Sequence, residues 1–107
     1  MEDESDETII RELWREHLAT PFPKGFRGRD VSGGDFVMLD ANIAGCVTTY
    51  VAGRDLSVYQ TAVLGLSYRD AGSVLPVLNE EGKEYFWRLE QLARLVLRAT
   101  ARKNQTT

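Results

Sequence analysis

Cys46 and His17 are the sole cysteine and the sole histidine of the chain. Such a pair makes a nucleophile when the two side chains meet and the imidazole stabilises the thiolate. Nothing in their positions brings them together, and Cys46 lies between Gly45 and Val47 in an apolar stretch that suits a small buried residue. Glu12 and Glu16 set two carboxylates one helical turn apart beside His17. Di-iron bundles need Glu-x-x-His twice, and zinc centres built from Cys and His need several such ligands. One histidine and one cysteine meet neither requirement, so we expect no metal site and no cofactor. No Gly-x-x-x-x-Gly-Lys-Ser/Thr, Gly-x-Gly-x-x-Gly or Gly-x-Ser-x-Gly occurs, and no residue is assigned a catalytic role.

The remaining chemistry is that of binding. Arg94, Arg98 and Arg102 recur every fourth residue and form a basic stripe on one helix face. The stripe could hold phosphate or an acidic partner. Its simpler reading is a solvated face that complements the dipole at a helix C-terminus. Trp87 stands off the apolar stripe among Lys83, Glu84, Glu90, Gln91 and Arg94. It is either an interface anchor or the edge of a wide buried face. The stretch 21–34 carries Arg27 and Arg29, with Phe22 and Phe26 to tuck it onto the core. That loop is long for a compact bundle and is a further place for binding. Asp40 and Asn42 are either surface positions, buried hydrogen-bonded groups, or lining for a pocket near Arg27 and Arg29.

Helices must position these side chains. Ile10, Leu13, Trp14 and Leu18 form one apolar stripe after Asp6, ended by Thr20-Pro21-Phe22-Pro23. Asp35 can cap a second helix carrying Phe36, Leu39, Ile43, Cys46, Val47 and Tyr50, with Gly53 as its stop. The segment 47–51 is β-rich, but the stripe is too long for a typical strand, so helix is expected there. Asp55 can cap a third helix, in which Leu56, Tyr59, Val63, Ser67, Ala71, Val74 and Leu75 form a drifting apolar face until Pro76 breaks it. Asn79 can cap a fourth, with Glu80 and Glu81 in the first turn and Tyr85, Leu89, Leu92, Val96 and Ala99 as its stripe. The expected fold is all-α, a single-domain bundle of about four amphipathic helices over residues 1–107, with a disordered acidic lead at 1–5 and a frayed tail at 103–107.

Totals agree with one domain. The chain has 107 residues, 43% of them hydrophobic and 27% charged, enough to bury a core without disulfide or metal. Its apolar runs are too short to span a bilayer, and its acidic start is the opposite of a signal peptide. With one cysteine, the expected setting is cytoplasmic. The net charge of −3 names no partner class, but it is unevenly spread. Residues 1–20 hold seven acidic side chains and two arginines, and residues 88–107 hold five basic and one acidic. The two ends should attract each other across the fold.

Two resemblances bear on function. The run Gly65-Leu66-Ser67-Tyr68-Arg69-Asp70-Ala71-Gly72-Ser73-Val74-Leu75 resembles the helix that opens the DNA-binding helix-turn-helix of bacterial sigma factors. Pro76 stands where that family's turn carries glycine, and the next helix opens with Glu80 and Glu81, which would face phosphates with like charge. The stretch 39–47, with Val74-Leu75-Pro76 and Tyr85-Phe86, loosely resembles small uncharacterised helical proteins of soil actinobacteria. That resemblance implies a helical fold and brings no catalytic or binding residue.

The expected function is therefore a non-catalytic protein–protein interaction or regulatory module, acting through Trp87, Arg94, Arg98, Arg102, Arg27 and Arg29. The expected partner is another protein, with nucleic acid and membrane disfavoured. The alternatives are DNA binding through a degenerate helix-turn-helix, and a small-molecule pocket in the bundle near Tyr50, Tyr59 and Asp40.

Overall fold

A computed structural model describes residues 2–25, 30–31 and 34–105, so Arg27, Arg29 and Phe26 lie outside the described residues. Four helices carry the fold: α1 (Glu2–Ala19), α2 (Phe36–Val51), α3 (Val58–Val74) and α4 (Glu80–Gln105). The expected all-α bundle is what the chain forms. Two short strands, β1 (Asp30–Val31) and β2 (Gly34–Asp35), pair antiparallel in the connection before α2. A 3₁₀ turn, Leu75–Val77, joins α3 to α4. The α4 helix packs against α1, α2 and α3, and α2 also packs against α3.

Local chemistry sets the helix ends. Asp35 Oδ1 accepts from the Met38 N–H at 2.7 Å, as expected of an N-cap. The end of α2 is a Schellman turn: Gly53 N–H donates to Tyr50 O at 3.0 Å and Arg54 N–H to Thr49 O at 3.1 Å, with Gly53 at φ +82°. Residues 47–51 are helical within that element. Asn79 Oδ1 accepts from the Gly82 N–H at 2.8 Å and starts α4. Pro76 sits in the 3₁₀ turn, where its missing N–H is tolerated.

Several sequence expectations are corrected. The cap of α3 is Ser57, not Asp55; Ser57 and Gln60 exchange side-chain and backbone bonds in a capping box. Asp55 instead pairs with Lys103 of α4. The first helix starts at Glu2, so the backbone of 2–5 is helical, and α4 runs on to Gln105 where a frayed end was expected. Leu18 is 68% exposed, and the inward stripe of α1 is Asp6, Ile10, Leu13 with Trp14, and His17. Tyr59 is 77% exposed while Leu64 takes the interior of α3.

The core centres on α4. Phe86, Leu89, Leu92, Ala93 and Val96 are fully buried, with Ile10 of α1, Ile43 and Val47 of α2, and Leu64 and Ala71 of α3 around them. Phe86 lies 5.1 Å from the Phe36 ring and 5.2 Å from the Tyr85 ring, centroid to centroid. Phe22 meets Tyr85 edge-on at 5.5 Å, so the segment after α1 is pinned to the core as expected. The Glu90 carboxylate of α4 reaches over Gly72 of α3, where an added Cβ would stand 2.8 Å from Oε2.

Candidate functional site

The opposed charge at the two ends becomes one clamp around a buried carboxylate. Asp6 is buried on α1, and Arg98 of α4 donates to it from Nη2 at 2.8 Å and from Nε at 3.1 Å. Arg102 adds a third bond at 3.0 Å. The Arg98 hydrogen bonds, with the charges of Arg98 and Arg102, outweigh burial and hold the Asp6 carboxyl below its ordinary 3.8. The basic stripe is thus not a free face: Arg98 and Arg102 fasten α1, and Arg94 bonds Gln91 on its own helix.

Because the carboxyl is depressed in the fold, its contribution is complete above the unfolded value and disappears as pH falls through the folded one. The expected result for Asp6→Asn is a loss of about 1–2 kcal/mol at pH 7, because a neutral amide replaces the charge that Arg98 and Arg102 bond. That difference from wild type should shrink below about pH 4. Urea midpoints measured from pH 7 to pH 2 test it, and a pH-independent difference would refute the clamp.

A second polar cluster lies at the other end of α1. His17 is 7% exposed and its Nε2 lies 3.2 Å from Asp40 Oδ1 of α2. Tyr85 of α4 donates its hydroxyl to Asp40 Oδ2 at 2.5 Å. The imidazole stacks on Trp14 at 5.5 Å and meets the Tyr85 ring at 4.9 Å. Its Nδ1 is buried without a hydrogen-bond partner. An Asp–His pair orients a general base when its free nitrogen faces substrate. Here the free nitrogen is enclosed, so the cluster ties three helices together through one carboxylate.

The cysteine–histidine pair is not assembled. The Cys46 thiol donates to Gln60 O at 3.5 Å, and burial pushes its pKa up, away from a reactive thiolate. Glu16 reaches Arg88 of α4 at 3.5 Å, whereas Glu12 is exposed. No group of three or more His, Cys, Asp or Glu that could hold a metal ion occurs among the described residues. Tyr50 is committed to Glu7 at 3.0 Å, and burial together with Glu7 pushes its hydroxyl up to about 12. Tyr59 is 77% exposed, and Asp40 is taken up by His17 and Tyr85.

The surface open to a partner is the corner where α3 turns into α4. Leu75 and Pro76 face Trp87 across an open groove of about 600 Å³, rimmed by Glu80, Glu81, Glu84 and Lys83. Trp87 is 50% exposed, and Val77 of the 3₁₀ turn is 82% exposed. Pro76 and the 3₁₀ turn present this edge, and the position of Trp87 off the α4 stripe turns its indole outward. A second pocket lies across α4, lined by Thr20, Pro21, Pro23, Tyr85 and Arg88, and it shares Glu81 and Glu84 with the first. Sequence reasoning missed Arg88; its only signal was its place three residues after Tyr85, on the buried side of α4. Among the described residues no helix is long and apolar enough to cross a membrane.

Comparison with protein families, with characterised proteins and with solved structures finds no match to this chain.

Proposed function

We propose that the chain is a non-catalytic interaction module that docks another protein on the groove between Leu75, Pro76 and Trp87. The observation that carries this reading is the half-exposed Trp87 set over an apolar groove, the arrangement of an interface anchor. The groove's rim holds three carboxylates and one ammonium, which favours a partner segment of positive charge. The same carboxylates count against DNA: Glu80 and Glu81 open α4, where a recognition helix would approach phosphates. The reading includes a cytoplasmic setting, which the single cysteine supports.

Tagged full-length protein should capture one stoichiometric partner from nuclease-treated host lysate. Trp87→Ala should weaken that complex at least about 30-fold, the effect of losing a hot-spot tryptophan worth 2 kcal/mol. Circular dichroism of the variant should match wild type, because the indole is not core. Equal affinity of the variant and the wild type for the captured protein would dismiss this surface.

A further inference from the structure

Arg88 is the one arginine buried among the described residues, and its charge is loosely held. Its side chain is 9% exposed, yet its hydrogen bond, Nη1 to Thr20 Oγ1, is 3.4 Å long. Its ion pairs are longer still: Nε to Glu16 at 3.5 Å and Nη2 to Glu84 at 3.9 Å, with both carboxylates reaching in from solvent. The same helix provides the contrast. Arg98, more exposed, holds Asp6 with two bonds at 2.8 and 3.1 Å. A guanidinium fork matches the two oxygens of a carboxylate, and a buried charge needs that match most. Arg88 lines a pocket of about 160 Å³ with Thr20, Pro21, Pro23, Tyr85, Glu81 and Glu84.

We propose that this pocket binds a free α-amino acid with a small apolar side chain. The ligand's carboxylate fills the Arg88 fork. Its ammonium sits by Glu84 and Glu81. Its side chain lies on Pro21, Pro23 and Tyr85. Charge argues for a zwitterion: Glu81 and Glu84 line the pocket and Glu16 stands 3.5 Å from Arg88 Nε, so three carboxylates surround one guanidinium, and a phosphate or a plain carboxylic acid meets net repulsion. Spacing agrees, because Glu84 stands 3.9 Å from Arg88 Nη2, and an amino acid carries its two charges side by side. Size agrees, because the volume equals roughly five waters, room for a small amino acid and too little for a nucleotide.

The experiment is a titration of the full chain with L-leucine, L-valine and L-alanine to 10 mM (roughly the upper range for a weak small-ligand site), read by the NMR signals of Arg88 Nε–H and the Thr20 and Tyr85 amides. Saturable shifts at these groups are expected for at least one of the three. Its amide, which lacks the carboxylate, and its N-acetyl form, which lacks the ammonium, should each bind at least ten-fold more weakly. Glu81→Gln with Glu84→Gln changes exposed side chains only and should also weaken binding ten-fold. Arg88→Gln should abolish it, and if that variant does not fold, the glutamate variant decides. No saturable shift with any of the three, or equal binding of the N-acetyl form, overturns the proposal. Trp87→Ala should leave amino-acid binding unchanged, which tells this site from the Trp87 groove although Glu81 and Glu84 border both.

Discussion

Phe86→Ala is expected to cost about 4 kcal/mol, the upper part of the range for removing a fully buried aromatic ring. Phe86 has no exposed surface, and its ring meets Phe36 at the start of α2, Phe22 of the segment after α1, and Tyr85 on its own helix. No single neighbour can move into the void without leaving its own contacts, so the cavity persists. A domain of this size holds only about 5–15 kcal/mol in total. The melting temperature should therefore fall by roughly 20 °C, and the urea midpoint should fall with an unchanged slope. Phe86→Leu keeps most of the volume and should cost less than about 1.5 kcal/mol. A loss below about 1 kcal/mol for the alanine variant would show that Phe86 is not the junction of these elements.

Asp40→Ala is expected to cost about 3 kcal/mol by a different route, orphaned polar groups rather than lost volume. The Asp40 carboxylate serves His17 Nε2 with one oxygen and the Tyr85 hydroxyl with the other. His17 has no other hydrogen bond to fall back on, because its Nδ1 is already unpaired in the interior. Removing the acceptor takes a hydrogen bond from the buried imidazole and another from the Tyr85 hydroxyl, each loss costing about 1–3 kcal/mol. Asp40→Asn retains an acceptor and should cost about half as much. In a double-mutant cycle, Tyr85→Phe should cost much less on the Asp40→Ala background than on wild type, since the phenol no longer has a carboxylate to lose. Additive losses would mean that the two groups do not share Asp40. The cycle also separates this cluster from the Asp6 clamp at the far end of α1, whose effect should add to it.

Most of the bundle was legible because helix periodicity is a local property. Tyr85, Leu89, Leu92 and Val96 recur at helical spacing and are all buried in α4. Asp35, Asn79 and Gly53 are punctuation that acts over three or four residues, and each does what its type predicts. The cap of α3 was misplaced because Asp55 and Ser57 are both competent caps, and only the Gln60 side chain of the capping box separates them.

The candidate sites were less legible, because apolar pattern reading discards polar residues that face inward. Asp6 and His17 lie in register with Ile10 and Trp14, but the apolar pattern continues from Trp14 to Leu18, which is 68% exposed. Arg98 and Arg102 seemed a solvated stripe, and the general attraction of the two ends was visible without the pairing to Asp6. Trp87 stood out from the start because its neighbours in sequence are charged, and its exposure follows from its helix phase alone.

By itself the sequence determined the helices, the caps at Asp35 and Asn79 and the place of Trp87 outside the apolar stripe, since each depends on spacing within one element. The tertiary structure decided which charges became buried partners, which nitrogen of His17 was left unpaired, and that Arg88 faces a pocket. Those outcomes depend on residues 23 to 96 positions apart in the chain, and only packing of α1 and α2 on α4 brings them within hydrogen-bond distance.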